Sequence, residues 1–229
     1  MDKASPDMVR VRIWDLPTRI FHWVLVLAVA ASVITAHVGG NAMDWHFRLG
    51  YLIFTLLAFR LVWGFVGGRW SRFASFLYMP PTLLRYLRGG ELPGEYLDAG
   101  HNPLGALSVF ALLVLLVLQV ATGLVADDEI ASQGPLNMFV SNAFAKAAST
   151  WHADIGQWIL LSLIALHVGA VLYYLQGKKT NLVGPMIAGD KSMPAGTPPA
   201  ADSAATRLFA LVLVLACAGA VAWVVGQGG

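Results

Sequence analysis

Cysteine and charge are both scarce in this sequence, and each scarcity excludes a class of protein. The single cysteine, Cys217, lies inside an apolar run, which excludes an internal disulfide framework, a CxxC zinc site and a CxxCH site for covalent haem. Charged residues make up 12% of the chain and hydrophobic residues 57%, whereas soluble domains contain ~25% charged residues. This balance indicates a membrane protein, and the formal net charge of +2 gives no reason to expect a nucleic-acid partner.

Five apolar stretches are long enough to cross a bilayer, since a crossing helix needs roughly 20 residues. They occupy residues 20–36, 47–66, 104–125, 155–174 and 208–225. Helices are expected because lipid offers no hydrogen-bond partners to an exposed backbone. The charged N-terminus shows no small-residue cleavage site, so we predict that the first stretch is a retained anchor and not a removable signal peptide.

Lysine and arginine are concentrated in alternate connections, which predicts the orientation of the chain. Basic residues precede the first span and follow the second and fourth, whereas the loops after the first and third spans are poor in them. The positive-inside rule therefore predicts a multi-pass protein with a cytoplasmic N-terminus and a periplasmic C-terminus. The outer loop at residues 126–150 opens with Asp127, Asp128 and Glu129, which predicts an anionic outer patch.

Composition also predicts the division of the chain. Residues 183–206 are rich in alanine, glycine and proline, which is typical of a flexible linker. The fifth apolar stretch contains no histidine. We therefore predict an all-α membrane fold with a four-helix transmembrane functional core in residues 1–182, a linker, and an accessory transmembrane helix in residues 207–229.

All six histidines lie in or next to the first four spans, where an ionisable side chain is costly and calls for a functional explanation. His46 and His152 open the second and fourth spans at the outer side. His22 begins the first span, and His167 lies fifteen residues after His152, roughly 22 Å along the helix axis. Two pairs at two depths is the pattern that two stacked bis-histidine haems require, since neutral imidazole is a good axial ligand.

The other two histidines suit ligation less well. His37 is also fifteen residues from His22, but the glycines that follow it predict that it lies in a loop. His101 precedes Asn102 and Pro103, which is typical of a helix start or a surface position.

Each outer histidine is followed four residues later by a glycine, Gly50 or Gly156. Position i+4 lies on the same helix face one turn away, so a glycine there removes a side chain that would collide with a flat macrocycle. Close packing of membrane helices is the alternative explanation.

Arginines near the histidines predict contacts to the anionic haem propionates. Arg19 precedes the ligand of the first span by three residues, Arg48 follows that of the second span by two, and Arg60 falls within the second span. An arginine within a span is costly, and pairing with a propionate would offset the cost. Snorkelling to lipid phosphate is the alternative.

Other chemistries fit the pattern poorly. A non-haem metal site needs three or four ligands at one depth, whereas each depth here supplies two. A proton pump or an ion channel needs an intramembrane carboxylate, and the five apolar stretches contain none.

Three segments carry a family resemblance: RIWDLPTRIFHW at residues 12–23, WHFRLGY at residues 45–51, and HADIG at residues 152–156 with LHV at residues 166–168. They resemble the bacterial cytochrome b561 family, which includes the b-type subunits of nickel–iron hydrogenases. The resemblance covers about residues 10–185. It implies a four-helix bundle with two haem b groups, ligated between the first and fourth helices and between the second and fourth.

The spacing of His152 and His167 departs from this family, in which the two ligands are usually one residue closer. At roughly 100° per residue, fifteen residues turn the second ligand about 60° away, whereas fourteen keep it within about 40°. Either the haem planes are rotated or a π-bulge absorbs the extra residue.

The pattern and the resemblance together predict electron transfer across a bacterial inner membrane. The carriers would be a membrane quinone, ubiquinone or menaquinone, and a periplasmic cytochrome c or other redox subunit. Three variants stay open: an anchor subunit of a hydrogenase or dehydrogenase complex, a stand-alone oxidase of a small reductant such as superoxide that reduces quinone, and a structural haem protein or sensor.

Overall fold

A computed structural model describes residues 7–90, 92, 95–127 and 132–228, and most of these residues are helical. The helices are α1 (Leu16–Val38), α2 (Met43–Val66), α3 (Pro80–Leu87), α4 (Pro103–Val125), α5 (Asn142–Ser149), α6 (Gln157–Gln176), α7 (Val183–Ala188) and α8 (Ala204–Val225). Two short strands accompany them, β1 (Met8–Arg12) and β2 (Asp190–Pro194).

Five helical stretches among the described residues are long and apolar enough to cross a membrane. They contain α1, α2, α4, the combined stretch Asn142–Gln176 and α8. The predicted all-α membrane fold with five candidate spans is therefore confirmed.

Local chemistry sets where two of these helices begin. The carboxylate of Asp15, just before α1, accepts a hydrogen bond from the main-chain N–H of Thr18 at 2.8 Å. The side chain of Asn102 caps α4 in the same way, accepting from Gly105 at 2.7 Å, and Pro103 follows as the first helical residue. Both arrangements are typical helix N-termini, because they satisfy a main-chain N–H that has no partner within the helix.

The fourth crossing contains a π-helical segment, Thr150–Gly156, between α5 and α6. A π-helical turn holds more residues than an α-helical turn. It therefore takes up the additional residue between His152 and His167. Of the two predicted explanations for the fifteen-residue spacing, the structure contains the π-helical one.

The chain forms two compact units. The first comprises Met1–Ile20, Val62–Val109 and Val168–Ala210, and the second comprises Phe21–Leu61, Phe110–His167 and Leu211–Gly229. In the first unit, β1 and β2 pair antiparallel, with Arg12 opposite Asp190.

Residues 183–206 carry regular structure in the first unit, contrary to the expectation of a flexible linker. They contain α7 and β2, and they contribute Met193 and Ala200 to a buried cluster with Ile13 and Trp14. Gly189 has a positive φ of 92°, which allows α7 to turn directly into β2. Glycine thus serves an ordered turn here, and composition alone does not distinguish this use from flexibility.

Candidate haem sites

The outer histidine pair lies in the second unit, with His46 on α2 and His152 in the π-helical segment. Their ring centroids are 5.9 Å apart and their planes are inclined by 84°. Two imidazoles on opposite sides of one iron, each with a metal–nitrogen bond of about 2 Å, place their centroids about 6 Å apart. The observed separation therefore fits axial ligation of a single haem iron.

Hydrogen bonds set the tautomer of both rings. Nδ1 of His46 donates to the main-chain carbonyl of Ser32 at 2.9 Å, and Nδ1 of His152 donates to the main-chain carbonyl of Gln119 at 2.8 Å. A carbonyl oxygen can only accept, so Nδ1 carries the proton in each ring. Nε2 is then left with its lone pair available to a metal.

A cavity of about 500 Å³ adjoins this pair, within the ~300–1,000 Å³ range of ligand and cofactor pockets. Residues of α1, α2, α4 and the fourth crossing line it, including both histidines and Gly50. Among the described residues, α8 contributes none to the lining. A Cβ added at Gly50 would meet no atom within 4 Å, so this helix face is open, as a flat macrocycle requires.

Gly156 behaves differently from Gly50. A Cβ added there would lie 2.3 Å from Oε1 of Gln119 and 2.7 Å from Nε1 of Trp151, and Gly156 is not among the residues that line the cavity. The structure gives no support at Gly156 for space cleared for a macrocycle, and that contact stays a prediction. Side chains of the protein already fill that space.

Two residues on α4 that the sequence did not identify lie against His152. A Cβ added at Gly123 would come within 2.8 Å of Cε1 of His152. Gln119, one turn earlier, hydrogen-bonds to His152. Gln119 is the only amide side chain in this predominantly apolar helix, and that isolation was the one signal available in the sequence.

The inner pair also lies in the second unit, with His22 on α1 and His167 on α6. The two rings lie within electrostatic range of each other. Nδ1 of His22 is buried with no hydrogen-bond partner. A buried polar atom of this kind is uncommon and requires an explanation. A haem bound at Nε2 would not supply a partner to Nδ1, so ligation by His22 stays a prediction.

The three arginines predicted to meet propionates have different surroundings. Arg60 is only 3% exposed. Arg48 is exposed and stacks over the ring of Trp45 at 5.1 Å, a cation–π contact. Arg19 donates to the main-chain carbonyl of Ile187 at 2.5 Å. A propionate contact stays a prediction for all three residues.

The two histidines that we set aside are accounted for locally. His37 lies in the last turn of α1, so the expectation of a loop position is wrong, and its Nδ1 bonds to the carbonyl of Val33. The helix instead ends at the positive-φ residues Gly39 and Gly40 that follow. The ring of His101 packs near Trp14 and Phe76, with centroids 4.7 Å from each.

Within residues 7–90, 92, 95–127 and 132–228, no three His, Cys, Asp or Glu side chains converge as a possible metal site. Comparison with protein families matches residues 13–189 to the family described as prokaryotic cytochrome b561. The chain belongs to this family. As a prokaryotic cytochrome b561 it is a membrane protein that holds haem b, which agrees with the absence of a thioether attachment site.

Curated relatives bear out the family. The chain is 26% identical to a "Probable Ni/Fe-hydrogenase B-type cytochrome subunit" of Azotobacter chroococcum mcd 1, over 78% of this chain and 87% of the relative. It is 24% identical to a "Probable Ni/Fe-hydrogenase 1 B-type cytochrome subunit" of Escherichia coli (strain K12), over 84% of this chain and 95% of the relative. A "Probable Ni/Fe-hydrogenase B-type cytochrome subunit" of Rhodobacter capsulatus is 26% identical, over 83% of this chain and 87% of the relative. No solved structure matches the chain significantly.

Proposed function

We propose that this cytochrome carries electrons across a bacterial inner membrane through two b haems, held by His46 with His152 and by His22 with His167. The observation that carries the proposal is the outer pair, whose ring centroids lie 5.9 Å apart. Haem b supplies a one-electron iron centre when it is bound.

The protein's own contribution is to fix and tune the ligands. The carbonyls of Ser32 and Gln119 hold the outer rings in the tautomer that presents Nε2. A hydrogen bond from the distal ring nitrogen also raises the basicity of the ligating nitrogen. The two ligands of the fourth crossing are separated by fifteen residues, roughly 22 Å of helix. Ligands at two depths divide the crossing into shorter electron hops.

A quinone, ubiquinone or menaquinone, is the proposed lipid-soluble carrier. In the first unit, a cavity of about 350 Å³ is lined in part by Tyr86, Asn102 and Tyr174. The two tyrosine hydroxyls are 3.1 Å apart, and the amide of Asn102 donates to that of Tyr174 at 2.9 Å. Burial and the hydrogen bond with Tyr174 raise the pKa of Tyr86, so its hydroxyl stays protonated. One hydroxyl proton is used between the two tyrosines, and the other hydroxyl proton and the second amide proton of Asn102 are the donors proposed for the carbonyl oxygens of a quinone.

The proposed partner is a redox protein on the periplasmic side, either a cytochrome c or a subunit of a hydrogenase-type complex. Three kinds of support favour it: the hydrogenase subunits among the relatives, the acidic outer loop, and the basic connections that predict a cytoplasmic N-terminus and a periplasmic C-terminus.

Purification of the tagged chain in mild detergent tests the proposal. We expect a redox protein to copurify, and we expect the reduced complex to reduce a soluble quinone analogue. An isolated chain that reduces quinone with superoxide, and that needs no partner, would instead identify a stand-alone oxidase. A chain that copurifies with nothing and reduces no quinone from any donor would overturn the proposal.

A further inference from the structure

The helix α4 contains no histidine, yet it makes two hydrogen bonds with His152. The main-chain carbonyl of Gln119 accepts from Nδ1 of the ring at 2.8 Å. The side-chain amide of the same residue donates from Nε2 to the main-chain carbonyl of His152 at 2.6 Å. One residue therefore holds both the ring and the backbone of the candidate ligand.

The second hydrogen bond has a particular use at this position. His152 lies in the π-helical segment Thr150–Gly156, where the regular i→i+4 ladder is interrupted. A main-chain carbonyl in such a segment benefits from a donor on a neighbouring helix. The carbonyl of His152 can only accept, so the amide must present its nitrogen there.

The glycine four residues after His152 makes room for this amide. Oε1 of Gln119 and Nε1 of Trp151 are both buried without a hydrogen-bond partner. Both also lie within 2.7 Å of the position that a Cβ of Gly156 would occupy. An alanine at Gly156 would therefore push the amide away from His152.

We propose that Gln119 is a positioning residue for His152, with Gly156 providing the space for its side chain, and that it thereby sets the reduction potential of the outer haem. This inference rests on the proposed function, because it requires His152 to be a haem ligand. The hydrogen bond from Nδ1 makes Nε2 more basic and favours ferric iron. Without the side-chain amide, the backbone of His152 is no longer held against α4, so the hydrogen bond from Nδ1 to the main-chain carbonyl of Gln119 weakens and the potential of the outer haem rises.

The test uses Gln119→Met in the purified full-length haem protein, since methionine keeps the length and much of the volume but cannot donate. Gly156→Ala is the second variant, and Gly219→Ala is its matched control, because a Cβ at Gly219 meets no atom within 4 Å. The readouts are haem content, redox titration of each haem, and the low-spin EPR signal, which reports the angle between the ligand planes.

We expect both variants to keep two haems per chain, with a raised potential and an altered EPR signal for the outer haem only. The control should match the wild-type protein. An unchanged outer haem in Gln119→Met, or equal disturbance of both haems, would overturn the inference. His152→Ala separates the two proposals: if it leaves the outer haem in place, His152 is not a ligand and the proposed function itself fails.

Discussion

The ring centroids of His46 and His152 lie 5.9 Å apart with nearly perpendicular planes, although 105 intervening residues separate the two histidines in the sequence. Both rings bond to main-chain carbonyls through Nδ1, which leaves Nε2 of each ring for the proposed haem iron. The geometry leads to predictions that spectroscopy and mutagenesis can check.

The first prediction is two b haems per chain. A pyridine haemochrome assay on the purified protein should give two haems. All of the haem should extract into acidified organic solvent, because Cys217 cannot form the usual thioether motif. A value of one haem per chain would show that only one histidine pair is occupied.

The second prediction separates the two pairs. His46→Ala and His152→Ala should remove or disturb the outer haem and spare most of the inner one, because each deletes one axial ligand. His22→Ala and His167→Ala should do the reverse. Redox titration of the visible spectrum distinguishes the two haems.

His37→Ala and His101→Ala are the controls for that series. Each should leave the haem spectrum nearly unchanged, since His37 bonds to its own helix and His101 packs near Trp14 and Phe76. If His37→Ala loses a haem while the spectrum of His46→Ala stays normal, then His37 is the outer ligand and the assignment to His46 is wrong.

Much of the fold was predictable because length and hydropathy decide membrane helices. The position of each histidine along its span also predicted that His46 and His152 would lie at the same depth, because the rise per residue of a helix is nearly constant. The surroundings of His152 were not predictable. Gln119 and Gly123 contact it across the fold, and a single glutamine in an apolar helix does not say which neighbour it will meet. The β1–β2 pairing was missed because its strands lie at opposite ends of the chain.

The third prediction concerns encounter with a partner. Asp127 accepts a hydrogen bond from Gln133 at 3.0 Å in the loop that we predict to lie outside, while Asp128 and Glu129 lie outside the described residues. An anionic patch near a redox centre speeds encounter with a cationic carrier more than it tightens the complex. Stopped-flow transfer to a basic cytochrome c should therefore slow as salt rises, because screening shortens the reach of the charges to ~8 Å at physiological ionic strength.

Neutralising the three acidic residues together should lower the same rate and weaken its dependence on salt. If the rate is indifferent to salt, or increases with it, the acidic loop is not the docking site.

The fourth prediction is a pH dependence at Asp202. Burial raises the pKa of this carboxyl, but hydrogen bonds from Arg207 and from the main chain of Leu16 outweigh burial and hold it below its usual value. The pKa is lower in the folded protein than the ~3.9 of the unfolded chain, so the charged carboxylate stabilises the fold at pH values above ~3.9. This contribution is lost as the pH falls through the folded-state pKa. Asp202→Asn should therefore destabilise the protein at pH 7 by about 1–3 kcal/mol.

Thermal melts in detergent at pH 7 and at pH 3 provide the measurement. The difference in melting temperature between the wild-type protein and Asp202→Asn should be smaller at pH 3 than at pH 7. Asp7 is exposed, so Asp7→Asn should melt at the wild-type temperature at both pH values. A difference in melting temperature that is equally large at both pH values would mean that the charge of Asp202 does not stabilise the fold.

The pairing of β1 with β2 has a consequence for biosynthesis. The hydrogen bond between Leu16 and Asp202 joins residues 186 positions apart. On the ribosome, the segment that forms β1 therefore emerges long before its partner strand has been translated. Closing such a distant contact is slow compared with forming local helical contacts. A segment that is translated late must then return to one translated early to complete this two-stranded sheet.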